Sequence, residues 1–492
     1  MRRTSGDREL QELSSDSGII SIRPKIAYTA ESETDVVSVL QEASSLDISV
    51  TPRGGGTSIP SQSVGRGAIL LQSGVKAELG PGGVVTCHPS TVKAELNSFL
   101  GASRWMPVDP SSYASCTVGG MVANNSSGIR TPKYGSTVDY VRGLRAVIPG
   151  GDAKPLAPMP IEDALSGEPR TRRAASLVLE NQSDIERERP RVTKNSSGYR
   201  LERVVHDGLF DLPKLFVGSE GTLGVLTEVA FSTRERPRWR SLFIAESSLD
   251  DLDAVVGAFR EHAPAALELV DKSVFRMMGR WDRISRYSRS DCQYMVFCEF
   301  DGSSGDGTAK AEEVARSKAG GFDPMVVQGS SEISQAWEAR NETLSLAQDI
   351  RKGSARLVPG VEDLVVPPDR LGDLVRVLAD HFGRRGLDYV SYGHAGDANL
   401  HARPFLDLAD PGGMAALDGL MEDCFEAVWR MGGSMTAEHG DGMLRAKYVE
   451  RQYPRTYWIM RELKQLFDPR GILNPGVKIA LKAPPSPGAS PP

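Results

Sequence analysis

The chain lacks paired cysteines. Its five, Cys87, Cys116, Cys292, Cys298 and Cys424, show no C-x-x-C spacing, which excludes the usual local zinc and iron–sulfur frames. Odd in number and dispersed, they fit a reducing compartment. A run of about 18 apolar residues is also missing, so no stretch reads as a membrane span. The N-terminus begins Met1-Arg2-Arg3, but Asp7, Glu9 and Glu12 follow without an apolar segment, which speaks against a secretory or twin-arginine signal. A cytoplasmic location is expected, with peripheral attachment at the inner membrane surface left open. Basic excess is absent too. A formal net charge of -6 over 492 residues argues against a nucleic-acid partner.

What remains is ordinary soluble composition, 40% hydrophobic and 25% charged, with a core of full size. At about 150 residues per unit the length suggests roughly three compact units. The first 20 residues are polar and expected to be flexible. Ile26 to Ala30 reads as a strand, Ser32 opens a helix, and Ile48 to Pro52 reads as a second strand. It runs into Arg53-Gly54-Gly55-Gly56-Thr57-Ser58. This turn fails both the Rossmann and the Walker patterns. Its glycines let amides converge, and Arg53, Thr57 and Ser58 add donors, so it reads as an anion cradle or as a plain tight turn. Further strands are expected near 67–71, 82–87 and 138–148, with a helix over 91–100. Between the last two lies Pro107 to Gly135, where glycine, small hydroxyl residues and Asn crowd together. Such a surface suits a large, flat, anionic ligand whose backbone approach is tight.

Residues 152–193 are rich in Arg, Glu, Pro and Ser and read as a solvated excursion. Glycines interrupt strand-like residues again at Gly218-Ser219-Glu220-Gly221-Thr222-Leu223-Gly224-Val225, where backbone passes close to something or bends sharply. The texture changes near Arg234 to Pro237. Residues 240–430 alternate strand-like and helix-like segments, as in an α+β unit on an antiparallel sheet. The Pro/Ser-rich tail from 483 is expected to be disordered.

Histidine is scarce, and three of the seven fall in two late segments. The first runs from Tyr392-Gly393-His394 through Gly396-Asp397-Ala398-Asn399 to His401. A single strand would place the two histidines on opposite faces, and two glycines disfavour a helix. A strand–turn–strand form aims both at one centre. The second segment is Thr436-Ala437-Glu438-His439-Gly440-Asp441-Gly442. Two imidazoles and a carboxylate form a typical divalent-ion site with an open position. The alternative is polar residues capping turns.

With these residues in hand, the chain resembles the flavin-dependent D-2-hydroxy-acid dehydrogenases of the vanillyl-alcohol-oxidase/p-cresol-methylhydroxylase type, acting on D-lactate, glycolate or D-2-hydroxyglutarate. The resemblance covers about residues 20–478. It rests on six motifs in order: Arg53 to Ser58, Val118 to Gly128, Gly218 to Gly224, Gly393 to His401, Glu438 to Gly442 and Ile472 to Gly476. It implies an α+β fold with a two-part FAD domain over 21–235, the 152–193 excursion included. A cap over 236–430, a segment over 431–478 returning to the FAD domain, and a disordered tail over 479–492 complete it. It further implies FAD held noncovalently by Arg53 to Ser58, Pro110, Thr117, Gly119, Gly120, Asn124, Ser126, Gly128, Tyr134, Gly221, Gly224, Val225 and Asn474. Zinc or manganese is implied on His394, His401 and Glu438, with substrate at Arg340 and Asn399.

In that scheme the metal lowers the pKa of the substrate hydroxyl. His439 takes the proton, and hydride passes to the flavin. Electrons then leave to a separate acceptor: an iron–sulfur subunit, a quinone or an electron-transfer flavoprotein. A homodimer is an allowed assembly. Two departures stand out. Ala398 occupies a usual glycine position, and Val361 replaces a lysine of some 2-hydroxyglutarate enzymes. Glu362-Asp363, His401 to Pro404 and Met443 to Lys447 are instead similar to longer relatives fused to an iron–sulfur half. The rival expectations are an oxidase using oxygen, a flavin-binding transferase of the alkyl-dihydroxyacetone-phosphate synthase type, and a non-catalytic flavoprotein subunit.

Overall fold

The computed structural model describes all residues except 75, 278, 304–308, 310–312, 315–321, 350, 480 and 482–492, and for 343–349 the backbone alone. The expected disorder of the tail falls almost wholly outside the described residues, although Ile479 is buried.

The N-terminal half contains two sheets that share the job of holding glycine loops. In the first, Ile26–Ala30, Ala68–Gln72 and Val50–Pro52 run parallel. The crossover from Ile26–Ala30 to Val50–Pro52 is the helix Glu33–Ser45, capped by Ser32 Oγ accepting from the Asp35 amide. It buries Val36, Val39, Leu40 and Ala43, the apolar stripe that fixes it to the sheet. The second sheet is antiparallel and ordered Ala77–Leu79, Val84–Cys87, Val225–Ser232, Val141–Val147, Ala153–Leu156. Glu33 joins the two sheets, accepting from Arg145 at 2.7 and 2.9 Å and from Thr227 at 2.9 Å.

Two stretches are better ordered than their polar composition suggests. Arg2–Thr4 pairs antiparallel with Ile26–Ala30, and Leu10 packs with Ala27 and Ile69. An edge strand has one partner and tolerates charged side chains, so it carries no apolar signature. The 152–193 stretch contains the helix Pro169–Leu179, whose Ala174, Ala175, Leu177 and Val178 enter the main core. Its arginines cover only the outer face, and short alanines conceal the buried one.

From Trp239 the chain builds a nine-stranded sheet. Trp239–Ser247 lies against Tyr294–Gly302, next to Ala266–Asp271, which pairs with Tyr389–His394. Asn399–Leu406 follows in the order, and every pairing among these strands is antiparallel. The C-terminal segment then returns to the first sheet. Val50 donates to the Ile472 carbonyl at 2.8 Å, and Asn474 donates to Val50 at 2.8 Å. Among the described residues no helix is long and apolar enough to cross a membrane.

Candidate active site

Two adjoining clefts, of about 210 and 110 Å³, open between the glycine segments and share Gly54, Gln62, Thr117, Gly120 and Asn124. Arg53, Gly54, Ser58, Gly119, Gly221, Gly224 and Val225 line the larger. The smaller carries Gly54 to Ser58, Pro110 and Ser126, and it ends on Glu438 and His439. Small residues are obligatory at the seam. A Cβ on Gly55 would stand 2.3 Å from the Ser115 carbonyl. The amides of Gly54 to Ser58 donate to no acceptor among the described residues. Consecutive free amides in a glycine turn suit a diphosphate, so the cleft fits the anionic middle of a dinucleotide.

Other expected cofactor residues do different work. Arg53 also spends its guanidinium on the carbonyls of Ser15, Ser63 and Leu13, at 2.9, 3.1 and 3.4 Å, which ties the loop down. Asn474 lies behind the cleft and donates to the Gln62 and Glu220 carbonyls at 2.8 Å. Gly128 and Tyr134 line neither cleft. Gly128 packs on the Asp109 backbone, and the Tyr134 hydroxyl donates to Asp301 at 2.8 Å.

The two histidine segments meet at the end of this cleft. Tyr389–His394 and Asn399–Leu406 form a hairpin around the turn Ala395–Asp397. Its register sets His401 opposite Tyr392 and Asn399 opposite His394. Opposed residues share a face, as do alternate ones, so both imidazoles point the same way. Their centroids are 5.1 Å apart, and His401 stacks on His439 at 5.0 Å. Glu438 Oε1 lies 3.0 Å from His394 Nε2 and 3.4 Å from His401 Nε2. Gly393 permits the turn, since a Cβ there would lie 2.3 Å from the Asn399 carbonyl.

Electrostatics sort these groups. Burial depresses the His401 pKa to about 4, with His439 and His394 adding to it, so its ring is neutral and free to donate a lone pair. For His394 burial works the other way from its partners. The Glu268 and Glu438 carboxylates win and lift it to about 9. Its Nδ1 is 2.7 Å from Glu268 Oε1, the arrangement in which a carboxylate fixes an imidazole's tautomer so that Nε2 faces a metal. Burial opposes ionisation of Glu438, but Lys194 and His394 hold its carboxyl well below the usual range. Ser127 and Lys194 occupy Oε2 at 2.8 and 2.9 Å, which leaves Oε1 toward the histidines.

Among the described residues, donor atoms of Asp363, His401, Glu438 and His439 lie within 4.8 Å of one another. Asp363, however, already accepts from Thr436 Oγ1 at 2.5 Å and from the amides of Glu438 and His439 at 2.9 and 2.8 Å. Its oxygens are spent on holding the loop. His439 belongs to that grouping and His394 does not, but His394 Nε2 and His401 Nε2 both converge on Glu438 Oε1, and two nitrogens with one oxygen suit zinc or manganese chemically.

Two expected substrate contacts lie elsewhere. Asn399 is fully buried and donates to Asp363 and to the Leu364 carbonyl at 3.3 and 3.0 Å. Arg340, on the helix Ser330–Asp349, directs its guanidinium to Glu268. It therefore stands one carboxylate behind His394. Sequence reasoning missed Ser127, Lys194, Glu268, Glu362 and Gln62. Gln62 donates to Asn124 and to the His439 carbonyl at 3.0 and 2.9 Å. Only Glu362-Asp363 carried a visible signal, two adjacent acids before an apolar strand.

Comparison with known proteins agrees with this arrangement. The model of a FAD binding domain matches residues 24–156, and that of the C-terminal domain of FAD linked oxidases matches 237–477. A relative named D-2-hydroxyglutarate dehydrogenase from Escherichia coli (strain K12) is 28% identical over 94% of the chain and 49% of its own length. The chain thus spans about half the length of the curated relatives of that name. Glycolate oxidase subunit GlcD of Bacillus subtilis (strain 168) is 26% identical over 93% of the chain and 89% of its own. The structure of p-cresol methylhydroxylase with substrate bound superposes with a TM-score of 0.69 at 14% identity, over 97% of this chain and 94% of that one, a likeness of fold alone. The chain belongs to the FAD-linked oxidases, with the FAD binding domain ahead of the family's C-terminal domain.

Proposed function

We propose that the protein oxidises a D-2-hydroxy acid to the 2-oxo acid with FAD and passes the electrons to a separate acceptor. The observation that carries this reading is that the glycine cleft ends on Glu438 and His439. FAD, when bound, supplies the two-electron acceptor. His394, His401 and Glu438 would hold a cation, which would supply positive charge where a hydroxyl is to ionise.

The chain's own residues do the rest. His439 is the base. Its Nδ1 faces Glu362 Oε1 at 3.6 Å, and its Nε2 lies 4.0 Å from Glu438 Oε1. Burial opposes charge on Glu362, yet Arg445, His439 and Arg403 keep it ionised. An anion on the Nδ1 side favours the tautomer with the proton there. Nε2 is then free to accept the hydroxyl proton. Asp363 clamps the backbone of 438–439 from one side. Gln62 and Asn124 hold it from the cleft side, Asn124 Nδ2 donating to the Glu438 carbonyl at 2.5 Å. The base is thus fixed relative to the cofactor cleft, as proton transfer requires.

Relatives named for D-2-hydroxyglutarate, D-lactate and glycolate support the substrate class. A transferase of the ether-lipid type has no need of the imidazole–carboxylate cluster. The test is anaerobic titration of the FAD-loaded protein with D-lactate, glycolate, D-malate and D-2-hydroxyglutarate. Bleaching of the flavin by at least one of them is expected. Absence of bleaching by all, with cation supplied, removes the reading. Fast reoxidation in air would replace the separate acceptor by oxygen.

A further inference from the structure

The cations around the histidine face are nearly all committed. Lys194 pairs with Glu438, Arg445 with Glu362 at 2.7 Å, and Arg340 with Glu268. Arg403 differs. On the strand Asn399–Leu406 it follows His401 by two, so it shares the face of both histidines. It is half-buried, and its Nε is shut off from solvent without a hydrogen-bond partner. Among the described residues no carboxylate lies within ion-pair distance of it. A guanidinium held in a partly dry site without an anion is unfavourable unless an anion arrives. Its field nevertheless reaches Glu362, where it helps keep the carboxyl ionised, so its charge is felt within the cluster.

We propose that Arg403 anchors a carboxylate of the 2-hydroxy acid and so sets specificity, the part that the family resemblance implies for Arg340. This rests on the function proposed above. The planar fork of arginine matches a carboxylate in bidentate fashion. Along the strand, Arg403 lies about 7 Å beyond His401. Its long side chain can therefore reach an acid group while the hydroxyl is at His439. The oxidation itself is unchanged: the hydroxyl proton goes to His439, and the α-hydrogen leaves as hydride, carrying the two electrons that FAD would accept.

The test uses the FAD-loaded full chain and the variants Arg403→Gln and Arg403→Lys, after thermal melts establish that they fold. Steady-state rates with a dye acceptor are expected to show KM raised about 10- to 100-fold for Arg403→Gln. The expected kcat changes much less, and Arg403→Lys is intermediate. D-Lactate carries one carboxylate, while D-malate and D-2-hydroxyglutarate carry two. Loss on all three acids assigns Arg403 to the carboxylate beside the hydroxyl, and loss on the diacids alone assigns it to the distal one. Binding is read separately, without turnover, from the change in flavin absorbance as pyruvate or 2-oxoglutarate is added. Weaker binding by the same factor is expected in Arg403→Gln. Unmoved KM and unmoved binding in that variant overturn the proposal. If the wild type is reduced by none of these acids, the function fails, and the binding titration still decides the role of Arg403.

Discussion

Glu268 is the residue whose removal separates support from chemistry. It lines neither of the two clefts described above, yet it faces His394 Nδ1 at 2.7 Å and also holds Arg340. Glu268→Gln is expected to weaken binding of zinc or manganese about 10- to 100-fold, measured by equilibrium dialysis. Unchanged affinity would contradict the assignment of His394 to the cation. Lys93 gives a pH test away from the site. Burial lowers its pKa to about 8, and its ammonium donates to the Met106 carbonyl at 2.6 Å. Between pH 8 and 10.5 the unfolded chain binds the proton that the folded one has lost, so its contribution to stability rises with pH across that window. It falls as pH drops from 10.5 to 8, and below 8 both states hold the proton and the difference levels off. The stability of wild type relative to Lys93→Met should therefore increase by up to about 3 kcal/mol between pH 8 and 10.5, read from urea melts at each pH. A flat difference would show that Lys93 titrates normally.

Among the elements, the histidine hairpin is the clearest case of legible sequence. An odd spacing of two histidines around Gly396-Asp397-Ala398 demands a turn, and the register places both rings on one face. The departure at Ala398 was legible as well: its φ is 50°, a left-handed conformation that favours glycine. Ala398→Gly should stabilise the protein by about 0.5–1 kcal/mol, seen as a shift in the urea midpoint with an unchanged slope. A destabilised variant would mean that the methyl's packing outweighs the strain. Less legible was everything that reaches the hairpin from afar. Glu268 comes from a strand more than a hundred residues earlier, and Lys194 opens a polar Lys-Asn-Ser-Ser run. Nothing local marks either as buried, because the pairing that buries them is tertiary. The pairing of Arg340 with Glu268 was hidden for the same reason. A helix pattern gives its face but not the carboxylate waiting there. The edge strand Arg2–Thr4 escaped notice because one-sided pairing needs no apolar alternation.

At the scale of the molecule, the site is assembled by segments hundreds of residues apart. Asn124 and Gln62 from the FAD binding part hold the 438–439 backbone. Asp363 clamps it from the C-terminal part, and Val50 pairs with Leu473 behind the cleft. These cross-links hold the proposed base where the glycine cleft meets the His394, His401 and Glu438 cluster. The position of His439 is therefore the central claim, and it is tested in the whole, FAD-loaded protein. His439→Ala should keep its flavin absorbance and its affinity for zinc or manganese. Its anaerobic reduction by the best D-2-hydroxy acid, followed by stopped-flow, should slow about 10²- to 10⁴-fold. A flavin that bleaches in the variant as fast as in the wild type would contradict the account.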